Sequence, residues 1–189
     1  MSEKQAVNPT NFDHIPSYSD EKEGVVNAVI ETPALTRHKF AFEPNYGLML
    51  LKHTLALGLR WPYDYGFIPQ TLADDGDPED ILVLNDEPTF SGCMLEVRVL
   101  GVVRLAKNDV ENDRIVGCPT RKSGVSLTTD VFNDIDDLPK ELLAGIERFL
   151  VEYSETEGNK IDLKSVGSRK KALKLIEEAR RTFFKSKGD

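Results

Sequence analysis

Tyr65-Gly66-Phe67-Ile68-Pro69-Gln70-Thr71-Leu72 leads into Asp74-Asp75-Gly76-Asp77-Pro78-Glu79-Asp80, which runs without a break into Ile81-Leu82-Val83-Leu84. Two strand-like runs therefore flank a turn that carries five acids in seven residues. Gly76 and Pro78 tighten the turn and predict that Asp75, Asp77 and Asp80 gather at one point. Carboxylates so close repel one another unless water or cations intervene. Such a turn is ordinarily just solvated. It is also a donor set for a hard divalent cation such as Mg²⁺, which takes one or two carboxylates and completes its shell with water and phosphate. An EF-hand is excluded, because glycine is second rather than sixth and the twelfth residue from Asp75 is Asp86, not glutamate.

Outward from this centre, short strand-like runs occupy Val25 to Thr32, Lys39 to Glu43, Leu48 to Lys52, Ile81 to Leu84, Met94 to Leu105 and Arg114 to Cys118. Within Met94 to Leu105, Leu95, Val97 and Val99 alternate with Glu96, Arg98 and Leu100, and Gly101 marks a bend or bulge. Many short strands joined by tight turns favour a closed barrel over a doubly wound sheet. The last third changes period. Leu142, Leu143, Ile146, Phe149, Leu150 and Tyr153 form one helical stripe, with Asp136 or Asp137 as cap, Pro139 in the first turn and Gly158 beyond the end. A second helix is predicted from about Ser168 to Phe184, with Leu173, Ile176, Ala179 and Phe183 inward. The fold class is α+β, mostly β: a five-stranded, OB-like closed β-barrel with two flanking helices.

At 189 residues the chain suits one compact domain, here 24–189, preceded by a polar N-terminal arm over 1–23 with no core of its own. Apolar residues make up 40% and charged residues 30%, the balance of a soluble globular protein. The net charge of −8 disfavours wholesale nucleic-acid binding, so any phosphate recognition must rest on metal ions or a concentrated Lys/Arg pocket. The basic segment Arg169-Lys170-Lys171-Ala172-Leu173-Lys174 reads as the solvated face of a helix rather than an oligonucleotide site. Cys93 and Cys118 are expected as reduced, buried thiols. Neither a signal peptide nor a membrane span is expected, so the predicted location is the cytoplasm.

The Tyr65–Leu72 strand followed by Asp75-Gly76-Asp77-Pro78-Glu79-Asp80 resembles the soluble, family I inorganic pyrophosphatases, whose signature D-[SG]-D-P-x-D follows a Y-G-[FYI]-I-P-x-T strand. Val29-Ile30-Glu31-Thr32-Pro33, Lys39, Gly101-Val102, Val116-Gly117-Cys118-Pro119 and Asp134-Ile135-Asp136-Asp137-Leu138-Pro139 fall where that family has its further motifs, from about Val25 to Phe184. The resemblance implies Mg²⁺-dependent hydrolysis of pyrophosphate to two orthophosphates by a metal-activated water. It implies Asp75 and Asp80 as metal ligands and Asp77 as the group that hydrogen-bonds the water and helps remove its proton. Lys39, Tyr65, Tyr153 and Arg114 would meet phosphate oxygens, and Glu31 would organise the pocket edge. Homo-oligomers, often hexamers, are also implied.

The sequence departs from that pattern on the hairpin after Gly101-Val102. Where the family has an Asp-Glu pair and then Asp-x-Lys, this chain reads Lys107-Asn108 and Asn112-Asp113-Arg114. Three carboxylates are replaced by a cation and two amides, and Asp109, Glu111 and Asp113 are the remaining candidates to compensate. Ala41 stands where a carboxylate is usual, His53 for Arg, Trp61 for Tyr and Ser154 for Lys. Two functional readings follow: the hydrolase, or a divergent member with a changed phosphoanhydride substrate or a non-catalytic phosphate-binding or subunit role.

Overall fold

The computed structural model describes residues 12–120 and 131–188; part of the N-terminal arm, residues 1–11, lies outside the described residues. The elements are β1 (Tyr18–Asp20), β2 (Val25–Thr32), β3 (His38–Glu43), β4 (Leu48–Thr54), β5 (Asp64–Phe67), β6 (Asp80–Val83), β7 (Met94–Lys107), β8 (Val110–Glu111), β9 (Arg114–Pro119), α1 (Lys140–Thr156), β10 (Ile161–Ser168) and α2 (Arg169–Lys187). Strand β2 pairs with both β5 and β7, and β5, β6, β9 and β7 pair in succession, so five strands close a ring, as expected. Strands β3 and β4 form a separate hairpin. No helix among the described residues is long and apolar enough to cross a membrane.

Alternation along the strands serves two apolar layers. Ile81, Val83, Ile115, Val97, Val99, Val26, Ala28 and Ile30 form one cluster with Ala172 and Ile176 of α2. Drawing residues from β2, β6, β7 and β9, four of the five ring strands, this cluster is the ring's own core. Leu82, Leu84, Val116 and Cys118 point the other way and pack beneath Ile146, Phe149, Leu150 and Tyr153 of α1. Strand β7 serves both layers through the bulge predicted at Gly101. The register against β9 shifts between Val99 and Gly101, so Leu95, Val97 and Val99 join the ring interior before it and Val102 after it. An extra residue reverses the parity of the strand's faces.

Several details differ from expectation. Strand β10 is antiparallel to the second half of β7, but its own bulge between Leu163 and Ser165 breaks the alternation that would have announced it. Asp134, not Asp136 or Asp137, is the capping residue. It forms a capping box with Asp137 over a 3₁₀ turn at Ile135–Asp137, and Pro139 stands at the start of α1 without a side-chain cap. Phe183 is half-buried. Cys118 is buried, but Cys93 is only partly so; both are free. The described part of the arm lies on the ring. Phe12 meets Phe42 and Phe67 edge-on at 4.6 and 5.7 Å, and the Asn27 amide donates to the Ser17 carbonyl at 2.9 Å.

Candidate active site

The acidic turn joins β5 to β6. It is closed by the Ala73 amide donating to the Asp77 carbonyl at 2.8 Å and the Asp77 amide donating to Asp75 Oδ1 at 3.1 Å. Gly76 has φ +91°, a conformation that side-chain-bearing residues rarely adopt. Thr71 anchors the turn from below: its hydroxyl donates to the Ile68 carbonyl and accepts the Glu79 amide at 2.9 Å. Burial, with Asp80 and Asp113 nearby, pushes the Glu79 carboxyl up to about 7. Asp77 is also raised, first by burial and then by the like charges of Asp75 and Asp80. A carboxylate so perturbed is a better proton acceptor than an ordinary aspartate.

Opposite the turn, β3 carries Lys39 and β2 carries Glu31, with Lys39 Nζ 3.9 Å from Glu31 Oε2. Burial dominates both groups. It lowers Lys39 and pushes Glu31 up to about 7 against the opposing pull of Lys39 and of the Phe42 amide, which donates to Glu31 Oε1 at 2.7 Å. Lys39 Nζ also lies 3.8 Å from the centre of the Tyr65 ring, so the ammonium is held between a carboxyl and an aromatic face. Tyr65 is hydrogen-bonded to Asp80, and its phenol is raised well above the usual value by burial. Trp61 stands behind both tyrosines, with its ring centre 4.8 Å from Tyr65 and from Tyr153, fixing their positions.

The third wall is the β7–β9 segment. Strands β6 and β9 are parallel, with Ile81 opposite Ile115. The residues immediately before them, Asp80 and Arg114, therefore stand side by side, with Arg114 Nη1 2.8 Å from Asp80 Oδ2. Arg114 Nη2 donates to Asn112 Oδ1, and Asn112 Nδ2 donates to Asp75 Oδ2. All eight residues singled out from the sequence, Glu31, Lys39, Tyr65, Asp75, Asp77, Asp80, Arg114 and Tyr153, line one open cleft of about 960 Å³.

The chain matches the family model described as inorganic pyrophosphatase over residues 28–183. The chain belongs to the inorganic pyrophosphatase family. Among curated relatives, the inorganic pyrophosphatase of Halalkalibacterium halodurans is 34% identical over 154 residues, covering 82% of this chain and 92% of that protein. That of Synechocystis is 32% identical over 157 residues, covering 83% and 90%. The solved inorganic pyrophosphatase of Thermus thermophilus superposes with a TM-score of 0.82 at 30% identity, covering 92% of this chain and 98% of that one. Curated relatives of this kind are hydrolases by name.

Within this pyrophosphatase frame, the hairpin's three remaining acids are occupied elsewhere. Asp113 Oδ2 accepts from Arg104 Nε at 2.9 Å, and Glu111 accepts from Arg104 Nη2 at 2.9 Å and pairs with Lys164. Asp109 is almost fully exposed, with its carboxylate 3.9 Å from Lys160. None of the three lines the cleft. Asn108 and Asp109 have φ of +52° and +67° between the paired residues Lys107 and Val110, a two-residue hairpin turn that favours Asn and Asp. Asn108 also accepts from the Lys160 amide at 3.0 Å and donates to Asn159 at 2.9 Å, so it ties the hairpin to the loop before β10.

One organiser of this wall was not singled out from the sequence. Glu157 is hydrogen-bonded to Tyr153, stands 3.1 Å from His53 Nε2 and 3.7 Å from Lys107 Nζ. The available signal was its spacing, one helical turn after Tyr153.

A hard cation fits the turn's donors in kind. Asp75, Asp77 and Asp80 offer only oxygen. Among the described residues no group of three or more His, Cys, Asp or Glu converges to hold an ion unaided, so such a cation would complete its shell from water and phosphate.

Proposed function

We infer that this protein hydrolyses inorganic pyrophosphate to two orthophosphates in the presence of Mg²⁺. The observation that carries the reading is the convergence on one cleft of eight side chains drawn from five strands, a turn and a helix. Pyrophosphate is a dense anion, and a cleft that receives it must supply positive charge and donors while keeping a proton acceptor beside the attacked phosphorus.

Lys39, Arg114 and the hydroxyls of Tyr65 and Tyr153 meet the phosphate oxygens. Glu31 holds the Lys39 ammonium toward them. Asp77 accepts a hydrogen bond from the attacking water and takes its proton. Asp75 and Asp80 are the residues that would hold Mg²⁺, which when bound neutralises phosphate charge and lowers the pKa of water. The family resemblance also carries a homo-oligomeric assembly, a hexamer being the implied form, and a cytoplasmic location.

The test is phosphate release from pyrophosphate in Mg²⁺, comparing the native protein with Asp77→Asn. Release by the native protein, lost by at least a hundredfold in the variant, is the expected result. The rebuilt hairpin wall motivates the second reading, a changed phosphoanhydride substrate or a non-catalytic phosphate-binding role. Folded native protein that releases no phosphate from pyrophosphate would move the assignment there.

A further inference from the structure

We propose that Arg114, locked in place by Asn112, is a resident counter-ion of the acidic turn that displaces one divalent cation from it. The proposal rests on the reading of Asp75 and Asp80 as cation-binding carboxylates. It concerns how many cations they accept and which residue sets that number.

The position of Arg114 is a consequence of the backbone, not of one rotamer. The parallel register of β6 and β9 puts Arg114 beside Asp80. The guanidinium is fixed by main-chain acceptors, with Nη1 donating to the carbonyls of Asn112 at 2.8 Å and Asp113 at 2.9 Å as well as pairing with Asp80 Oδ2 at 2.8 Å. Carbonyls of the same strand start cannot swing away to release it. The side chain is buried, and an arginine there keeps its charge at every accessible pH.

Asn112 extends this charge to the second carboxylate. Its carbonyl oxygen accepts from Arg114 and its amide nitrogen donates to Asp75. An amide of this length does both at once. An aspartate in its place could accept from Arg114 but would meet Asp75 as a like charge. The two oxygens that face the hairpin, one from Asp75 and one from Asp80, are thus satisfied by a guanidinium and an amide. The hairpin brings no anionic oxygen in exchange, since Asp113 and Glu111 are bound to Arg104 and Asp109 faces outward toward Lys160. A cation approaching from that side would meet fixed positive charge and no carboxylate of the hairpin.

The test counts Mn²⁺, a paramagnetic substitute for Mg²⁺, bound per chain by electron paramagnetic resonance of the free ion, without phosphate ligands. Native protein is compared with Arg114→Met and Arg114→Gln, each of which removes the guanidinium and adds no carboxylate. Circular dichroism checks that each is folded. The expected result is one additional Mn²⁺ per chain in each folded variant, with at least tenfold tighter binding at the turn. An unchanged count and affinity in a folded variant would overturn the proposal, and Arg114→Gln serves if Arg114→Met does not fold. A gain on removal of Arg114 that Asp75→Asn does not diminish instead overturns the reading of Asp75 as a cation ligand. The phosphate-release assay stands apart from both counts.

Discussion

Replacing Glu31 with glutamine should change how stability depends on pH, in a direction fixed by the burial of that carboxyl. Only about a tenth of its side chain is exposed. Burial raises its pKa from 4.5 to about 7, with the Lys39 ammonium and the Phe42 amide opposing and Asp80 and Asp77 adding to the rise. Between those values the folded chain holds a proton that the unfolded chain has released, so stability falls as pH rises through the window and the penalty is complete above about 7. At about 1.4 kcal/mol per pH unit the full penalty is about 3 kcal/mol, most of which develops between pH 5 and pH 8.

Glutamine does not titrate and keeps an acceptor for the Phe42 amide. At pH 5 the native carboxyl is protonated, so glutamine removes no charge beside Lys39, and at pH 8 the lost attraction is already contained in the value of about 7. Glu79 is also raised to about 7, so the native slope has a second source that survives in the variant. The quantity to read is therefore the difference between native and Glu31→Gln. Urea unfolding at pH 5 and pH 8 should show the variant gaining about 2–3 kcal/mol on the native protein at the higher pH. A difference that stays constant within about 0.5 kcal/mol, or that moves the other way, would refute a buried, late-titrating Glu31.

Two further substitutions probe the scaffold beneath the cleft. A Cβ on Gly66 would lie 2.0 Å from the Val29 carbonyl oxygen and 2.8 Å from the Ile30 Cα, both backbone of the paired strand, so Gly66→Ala should cost about 3 kcal/mol or more in urea unfolding; a loss under about 0.5 kcal/mol would contradict that close approach. Arg104→Met removes the donor to Asp113 and Glu111 and should lower stability by about 1–3 kcal/mol, with amide exchange accelerating along β8; unchanged exchange there would mean that Arg104 does not hold the hairpin.

The sequence was most legible where local chemistry alone dictates structure. Gly76 and Pro78 announce the turn, alternation announces β7, and Gly101 announces a bulge whose role, exchanging the faces of β7 between two apolar layers, needed the structure. Strand β10 was illegible for the mirror reason: an edge strand with a bulge at Leu163 to Ser165 and four consecutive exposed residues shows neither burial nor period. In the site, the family resemblance sufficed to choose the eight cleft residues but not their partners. Glu157 with His53 and Lys107, Arg104 with Asp113, and Asn112 with Asp75 are tertiary pairs, and nothing in the spacing of an acid says which base it will meet.

That limit is sharpest on the hairpin. Read as a string, Asp109, Glu111 and Asp113 are three acids within reach of three lost ones, and re-registration of the loop would have restored a carboxylate wall. The structure opposes this on grounds of pairing. The hairpin turn at Asn108-Asp109 fixes the register of β8 against β7, with Ala106 opposite Glu111 and Lys107 opposite Val110. With that register set, Glu111 and Asp113 face Arg104, whereas Lys107 and Asn112 face the cleft. A one-residue slip would carry the acids to the cleft, but it would also break the Arg104 pairs and the Asn108 link to Lys160. The altered charges are thus built into the strand pairing that supports the site, and Arg114 stands at the start of β9, where the parallel pairing with β6 sets it beside Asp80.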